Sequence, residues 1–359
     1  MIYRLLDKIS EWGSATSFPV FKKILVIRPD RLGDVLLTFP AVYNIYKAFP
    51  QSDIYYLCRT YTAPIVRCYT PVKDTIIFPE EKKGDGFAHL VQTLCGLHFD
   101  LAVHLLPKAS LAKATYSARI AYRLGMGYRL YSIFYNIRQF EHRKYNDYHE
   151  AEYNLRMLKR LGISTAYDEH SYQPFKFPSS AEEAVDKIIK EEVGQQDLIV
   201  LHPGSGGSSI DWPLENFIRL IGLLAGWENI RIAVSGIQSE RAWLAPLLKS
   251  GLPFIDLSGR LDLVELALLL RKSRLFISNS TGPLHLAVAV GTPVLGFYPA
   301  AFDLGPKRWG PFMRDEKQVI TPNDHIAYDL RPASNLDMTK ITVENALSRI
   351  REILDQNLI

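Results

Sequence analysis

Cysteine is scarce in this 359-residue chain: Cys58, Cys68 and Cys95 are the whole complement. No two form a CxxC pair or stand at metal-ligand spacing, which excludes a disulfide framework and a zinc-ribbon site. Scattered cysteines in odd number read as reduced thiols, the usual state in a cytosolic compartment. A strong charge of one sign is also missing. Lys and Arg total 42 against 38 Asp and Glu, a net of +4. That is too small an excess for a nucleic-acid-binding protein, though it suits one that handles phosphates or rests near an anionic surface. There is no internal repeat and no low-complexity tract. One run is long enough to cross a bilayer: residues 275–302 contain no Asp, Glu, Lys or Arg. Gly282, Pro283, Gly291, Pro293, Gly296 and Pro299 interrupt it, so it predicts a buried strand–turn–helix–strand. The opening MIYRLLDKISEW lacks the apolar core and small-residue cleavage site of a signal peptide. Ile2, Leu5, Leu6, Ile9 and Trp12 fall at helical spacing, which predicts a helix packed on its own domain in preference to one lying on a membrane.

What is present is the composition of a folded α/β chain. Hydrophobic residues make up 47% and charged residues 22%, which excludes disorder, and the length suits two domains. Short apolar runs alternate with longer amphipathic stretches, the signature of βαβ units and parallel sheets. The expected strands are Ile24–Ile27, Asp53–Leu57, Thr75–Phe78 and Leu101–Leu105 in the first half. Leu198–Leu201, Ile230–Val234, Leu275–Ser278 and Pro293–Phe297 follow in the second. A polar, proline-interrupted stretch around 165–180 reads as the linker. The expectation is two Rossmann-like domains, 1–170 and 176–335, with parallel sheets facing a central cleft. Beyond them a helix over 341–359, with Thr342 as N-cap and Ala346, Ile350 and Leu354 as its stripe, is expected to pack back on the first domain.

Three segments carry chemistry. In ILVIRPDRLGDVLLTFPAV a buried strand ends in a polar loop and a helix follows. Ligands bind at the carboxyl ends of parallel strands, so Arg28, Asp30, Arg31 and Asp34 fall at the mouth of the cleft. Asp34 is there either a helix cap or a general base, and spacing alone favours the cap. In LIVLHPGSGGSSIDWPLENF a strand runs into a Gly/Ser loop whose backbone and hydroxyls suit a pyrophosphate, with a simple tight turn as the competing reading. It matches neither a Walker A loop nor GxGxxG. In RLFISNSTGPLHLAVAVGTPVLGFYP a strand leads through Asn279-Ser280-Thr281-Gly282 to a helix opened by Pro283, a second anion cradle. His285 either donates to a phosphate there or is a buried, satisfied imidazole. Two cradles at strand ends of one domain favour a nucleoside diphosphate over a lone phosphate.

In this order and at these separations the segments resemble glycosyltransferase family 9, the heptosyltransferase family of lipopolysaccharide assembly. The likeness runs from about Lys22 to Arg308 and includes HEAEYNLRMLKRLGI at 149–163 and SGRLDLVELALLLRKS at 258–273. It implies a GT-B fold, with the acceptor bound mainly by the first domain and the nucleotide-sugar by the second. It also implies inverting, metal-independent transfer and no cofactor beyond a donor that is ADP-linked by family default. Asp34, in the GDV motif, becomes the base that deprotonates the acceptor hydroxyl, with Arg28 and Arg31 beside the acceptor. The donor would be held by Gly204, Ser205, Gly206, Ser208, Ser209, Ser280, Thr281, Gly282 and His285. Glu240 would sit near the ribose or base, or else be a solvated helix-start glutamate. Two positions depart from the pattern: Ile210 stands where many relatives carry a cation, and Ser280 where many carry Asp. Lys307 and Arg308 either restore that positive charge or are solvated. The tyrosines of the first half, Tyr116, Tyr122, Tyr128, Tyr131 and Tyr135, are either an acceptor groove or an ordinary mixture of core and surface.

The resulting expectation is a cytoplasmic glycosyltransferase, peripheral on the inner face of the membrane. It would move heptose from a nucleoside-diphosphate donor to a lipopolysaccharide core or related glycolipid, without metal or nucleic acid. Two rivals stand beside it: a GT-B sugar-nucleotide epimerase, and a catalytically weak nucleotide-sugar-binding protein.

Overall fold

The computed structural model describes residues 18–79, 85–172, 175–313, 318–322 and 335–356. The chain divides into two compact units between Lys176 and Phe177, inside the proline-interrupted segment. The expected amino-terminal helix lies outside the described residues.

The first unit is built on a six-stranded parallel sheet in the order β3-β2-β1-β4-β5-β6. Its strands are β1 Lys23–Ile27, β2 Asp53–Cys58, β3 Asp74–Ile77, β4 Leu101–His104, β5 Tyr122–Met126 and β6 Ile137–Gln139. Helices cover both faces of such a sheet, so its central strands need no polar side, and Ile24 to Ile27 are all fully buried. One core packs Leu25 and Ile27 against Leu90, Leu94, Leu111 and Ala114. The second unit repeats the arrangement with the order β12-β11-β10-β7-β8-β9. Its strands are β7 Asp197–His202, β8 Ile230–Val234, β9 Ile255–Asp256, β10 Leu275–Asn279, β11 Val294–Phe297 and β12 Val319–Ile320. Trp212, wholly buried, stacks on Phe297 at 4.2 Å between ring centres and donates Nε1–H to the Ile341 carbonyl at 2.8 Å.

In both sheets the strand order reverses beside the first strand, between β1 and β4 and between β7 and β10. The loops leaving those neighbours diverge to opposite faces and open a crevice at the carboxyl ends. Each crevice is floored by a strand pair in register: Ile27 lies opposite His104 in one unit and Ser278 opposite His202 in the other.

All eight expected strands form, with bounds that differ by no more than one residue at either end. Of the four not anticipated, β9 and β12 have two residues and β6 three, too few for a periodic signal, while the five-residue β5 includes Arg123 and Gly125 and forms no continuous apolar run. The uncharged run is β10, the helix Gly282–Ala289 and β11. Among the described residues no helix is long and apolar enough to cross a membrane. The terminal helix, Val343–Gln356, corrects an expectation. Its Val343, Ala346, Ile350 and Ile353 enter the core of the second unit, where the sequence had it returning to the first. Helical spacing established that stripe but not its docking partner. Thr342 does cap the helix, its Oγ1 accepting the Asn345 N–H at 3.1 Å.

Candidate functional site

In the first unit β1 delivers Arg28 to the crevice. Its guanidinium is buried and donates to the Leu105 carbonyl at 2.7 Å, to Glu150 Oε1 at 3.3 Å and to Asp34 Oδ1. Asp30 Oδ2 lies 3.4 Å from Nε. Asp34 is not a cap. Arg31 holds the N-cap position of the short helix Leu32–Leu36, without a side-chain cap bond, and Asp34 sits in its first turn. The Asp34 side chain is 18% exposed, so it is mostly shielded yet reachable from solvent. Burial pushes its pKa above the usual carboxylate value; Arg28 pulls it down, and Asp30 and Glu150 push it up again. For Arg28 itself burial opposes the charge, but Glu150, Asp34 and Asp30 together hold its pKa above the ordinary value.

Glu150, also buried, opens the helix Glu150–Arg156, whose start is fixed by a capping box. His149 accepts the Ala151 N–H at 3.2 Å while Glu152 accepts the His149 N–H at 2.8 Å. Arg143 Nε stands 3.1 Å from the same Glu150 oxygen that Arg28 reaches, and Arg143 Nη2 donates to Asn154 Oδ1 at 2.9 Å. Two guanidiniums thus meet three carboxylates, of which Asp30 and Asp34 are partly open and Glu150 is closed off. Glu150 and Arg143 were not foreseen as site residues. The sequence signal for Glu150 was the HEAEYN stretch, legible as a resemblance without a role, and Arg143 lies outside every stretch singled out.

Arg28, expected beside the acceptor, is engaged by these internal groups. Arg31 is exposed and its side chain makes no ion pair among the described residues. The tyrosines are dispersed. Tyr135 is buried with its ring 4.8 Å from that of His104, and Tyr122 packs on Phe21 at 5.3 Å. Tyr128 stacks on His142 at 4.3 Å, Tyr131 meets Tyr135 edge-on, and Tyr116 is exposed.

In the second unit the expected donor residues follow four adjacent strands. The Gly/Ser loop leaves β7, Glu240 follows β8, Ser280 to His285 follow β10, and Lys307 and Arg308 follow β11. Gly206 and Gly207 adopt left-handed backbone (φ +55° and +75°), which only glycine takes without strain. The loop is shaped by its own hydroxyls: Ser205 Oγ accepts the Gly207 N–H at 3.2 Å and Ser208 Oγ donates to the Ser205 carbonyl at 2.7 Å. A Cβ on Gly204 would collide with the Glu240 carboxylate, so glycine there permits close approach of the two segments. Glu240 is not a solvated glutamate. It accepts the Ile237 N–H at 2.8 Å and lies 3.9 Å from His202 Nε2. Burial pushes His202 below its ordinary pKa, with Glu240 pulling the other way.

Asn279 ties the two cradles together. Its Nδ2 donates to the Pro203 carbonyl at 2.7 Å and to Asp211 Oδ1 at 3.2 Å, while its Oδ1 accepts the Trp212 N–H at 2.8 Å. Thr281 is the N-cap of the helix Gly282–Ala289 in extended backbone with no side-chain cap bond. Its Oγ1 pairs instead with Ser278 at 3.0 Å, so the helix amides face the crevice uncapped, the arrangement that attracts anions. Ser280 is half-buried, with its N–H on the Phe297 carbonyl at 3.1 Å, and His285 is buried in the first helical turn. Ser209 and Ile210 are half-buried, and Ile210 packs against the core of the unit. Lys307 and Arg308 share the turn Pro306–Trp309, with Arg308 4.9 Å from the Trp309 ring. Among the described residues no three His, Cys, Asp or Glu side chains gather as a metal site.

Comparison with known proteins adds to this geometry. The family model described as glycosyltransferase family 9 (heptosyltransferase) matches residues 87–335. A Haemophilus influenzae protein named as a candidate glycosyltransferase is 30% identical, over 92% of this chain and 96% of its own. A glycosyl transferase family 9 structure from Veillonella parvula superposes with a TM-score of 0.81 at 18% identity, covering 96% of this chain and all of that one. The structure of the E. coli ADP-heptose LPS heptosyltransferase II follows at 0.75 and 17%, covering 94% and all of that chain.

Proposed function

The chain belongs to glycosyltransferase family 9, the heptosyltransferases, and is a glycosyltransferase of GT-B fold; from that premise we propose the reaction it performs. It transfers heptose from an ADP-linked donor to the saccharide of a lipopolysaccharide core or related glycolipid, working from the cytoplasm at the membrane surface. An acceptor hydroxyl donates its proton to Asp34. The hydroxyl oxygen attacks the anomeric carbon from the face opposite the diphosphate, and the nucleoside diphosphate departs with the electrons of the broken bond. One displacement inverts the configuration, which is why the base and the leaving group need opposite sides.

The observation that carries this reading is the Asp34 carboxylate at the end of β1, shielded but open on one side, with burial raising its pKa. Burial that raises the pKa of a carboxylate makes it a stronger proton acceptor. Arg28 orients it by the hydrogen bond to Oδ1. Departure of the diphosphate needs fixed donors without a metal, and three groups can supply them: the amides and hydroxyls of Gly204 to Ser209, the uncapped amides beyond Thr281, and Lys307 with Arg308. Asp211 and Glu240 border this cradle and favour a ligand with donor hydroxyls beside its phosphates, such as a ribose.

The test is Asp34→Asn, which keeps the side-chain shape and an acceptor for Arg28. Transfer from ADP-heptose to a heptose-deficient core acceptor falls about 10²- to 10⁴-fold, the usual worth of a general base, while ADP affinity in the same preparation is unchanged. Transfer within a factor of two of the unsubstituted protein would remove Asp34 from the mechanism.

A further inference from the structure

Residues 101–140 contain no aspartate or glutamate, yet carry Lys108, Lys113, Arg119, Arg123, Arg129 and Arg138. Elsewhere in the molecule several exposed cations are matched. Lys47 pairs with Asp168, Lys73 with Asp53, Arg260 with Glu192 and Lys272 with Asp186, all within 2.7 Å. None of the six cations of the acid-free stretch has an ion-pair partner among the described residues. Several lie over aromatic rings instead: Arg123 is 5.4 Å from the centre of Tyr116, Arg129 is 5.2 Å from that of Tyr128, and Lys108 is 4.4 Å from that of Phe78.

The same stretch displays the most exposed large aliphatic side chain of the described residues. Leu130 is 97% exposed and Ile133 70%, both on the 3₁₀ turn Leu130–Phe134. This turn is braced from behind. Arg138 Nε donates to the Ser132 carbonyl at 3.0 Å and to that of Tyr135 at 3.2 Å, and Arg123 Nε donates to the Phe134 carbonyl at 2.7 Å. Tyr116, 53% exposed, packs its ring 5.3 Å from Phe134 beside them. Bracing by guanidiniums holds the turn in place, so the two aliphatic tips stay in water at the cost of their hydration unless something apolar receives them.

We infer that the turn Leu130–Phe134 and the cations flanking it dock the first unit onto an anionic phospholipid bilayer. Leu130 and Ile133 enter the acyl boundary, Tyr116 lies at headgroup depth, and Arg119 and Arg129 meet lipid phosphates. Aliphatic tips combined with unpaired arginines and an interfacial tyrosine match the layered polarity of a membrane surface. A soluble phosphate would need a concave site and would leave the two tips unexplained, and a nucleic acid would likewise give Leu130 and Ile133 nothing to contact. The inference assigns a surface to the membrane placement in the proposed function, on which it rests for the choice of partner. Vesicle binding requires no turnover, so the two readings fail separately.

The experiment is flotation of the full chain with vesicles of phosphatidylcholine containing phosphatidylglycerol, against pure phosphatidylcholine, over a range of salt. The chain floats with the anionic vesicles, and the bound fraction falls as salt rises. Arg119→Gln with Arg129→Gln, both exposed and away from the catalytic network, weakens binding about 25-fold, from about five-fold per charge at an anionic surface. Leu130→Ser with Ile133→Ser weakens it roughly tenfold or more through lost apolar burial and leaves the salt dependence in place. Equal flotation with both vesicle types overturns the inference, as does wild-type binding by both double variants. Complete displacement by inorganic phosphate at the lipid phosphate concentration also overturns it, because that outcome marks a small-anion site.

Discussion

Replacing Glu150 by Gln tests how the candidate base is tuned. Glu150 and Asp34 accept from the same guanidinium, that of Arg28, and Glu150 is buried with no route to solvent screening. Its charge acts on Asp34 in two ways: it repels the second carboxylate, and it takes up part of the Arg28 charge that would otherwise stabilise Asp34 as an anion. Two carboxylates that share one guanidinium in a site mostly closed to water repel more strongly than they would in bulk solvent. The sign is downward: with Glu150 neutral, the Asp34 anion is favoured and its pKa falls. In kcat/KM against pH, the acid limb of Glu150→Gln therefore moves to lower pH, and the plateau drops because a weaker base removes the acceptor proton. The substitution also costs stability, up to about 3 kcal/mol for removing one partner of a buried pair. Arg28 retains Asp34 and the Leu105 carbonyl, and Arg143 retains Asn154, which limits that loss. A purely structural Glu150 would lower the unfolding midpoint and the rate without moving the limb. An acid limb that stays in place or moves upward refutes the coupling.

Other expectations follow from the second crevice and from the core. ADP stabilises the protein against heat by an amount that grows with its concentration, about 2.7 kcal/mol at a hundred times the dissociation constant, with or without magnesium. A larger shift with UDP or GDP would reassign the donor, and no shift with any nucleoside diphosphate would leave the Gly/Ser loop without its ligand. His104 is buried with its Nε2 3.0 Å from Thr115 Oγ1, and burial, aided by the Arg123 charge, pushes its pKa down to about 3. Its folded value lies below the unfolded value of 6.5, so as pH falls the unfolded chain binds the proton first. Stability is full above that unfolded value and declines as pH drops toward 3, at up to about 1.4 kcal/mol per unit. His104→Gln removes that share of the acid sensitivity, read as a shallower fall of the urea midpoint between pH 7 and 5; an unchanged slope would show that His104 is protonated in the fold.

Much of the architecture was legible because the central strands of a doubly covered parallel sheet are apolar along their whole length. Leu198–Leu201 and Ile24–Ile27 stand out as continuous runs, and the Gly/Ser loop and the NSTG turn follow such runs directly. Each is a contiguous stretch of chain, so strand, turn and helix start can be read together. The two-residue strands β9 and β12 left no such mark, since their pairing depends on a neighbouring strand being in place. The terminal helix shows the same limit, because its stripe was visible but either unit offered an apolar face to receive it.

The sequence by itself determined the chemistry available at each crevice: Asp34 with Arg28 after one strand, and glycines, hydroxyls and a helix start after others. Only the tertiary structure decided how that chemistry is tuned. Arg28 and Glu150 are separated by 122 positions and meet because the fold brings the start of the helix Glu150–Arg156 to the end of β1. Arg28 is thereby held by Asp34, Glu150 and the Leu105 carbonyl at once. Side-chain identity is a local property of the chain, whereas burial and the charges surrounding a carboxylate are set by neighbours that the fold brings in.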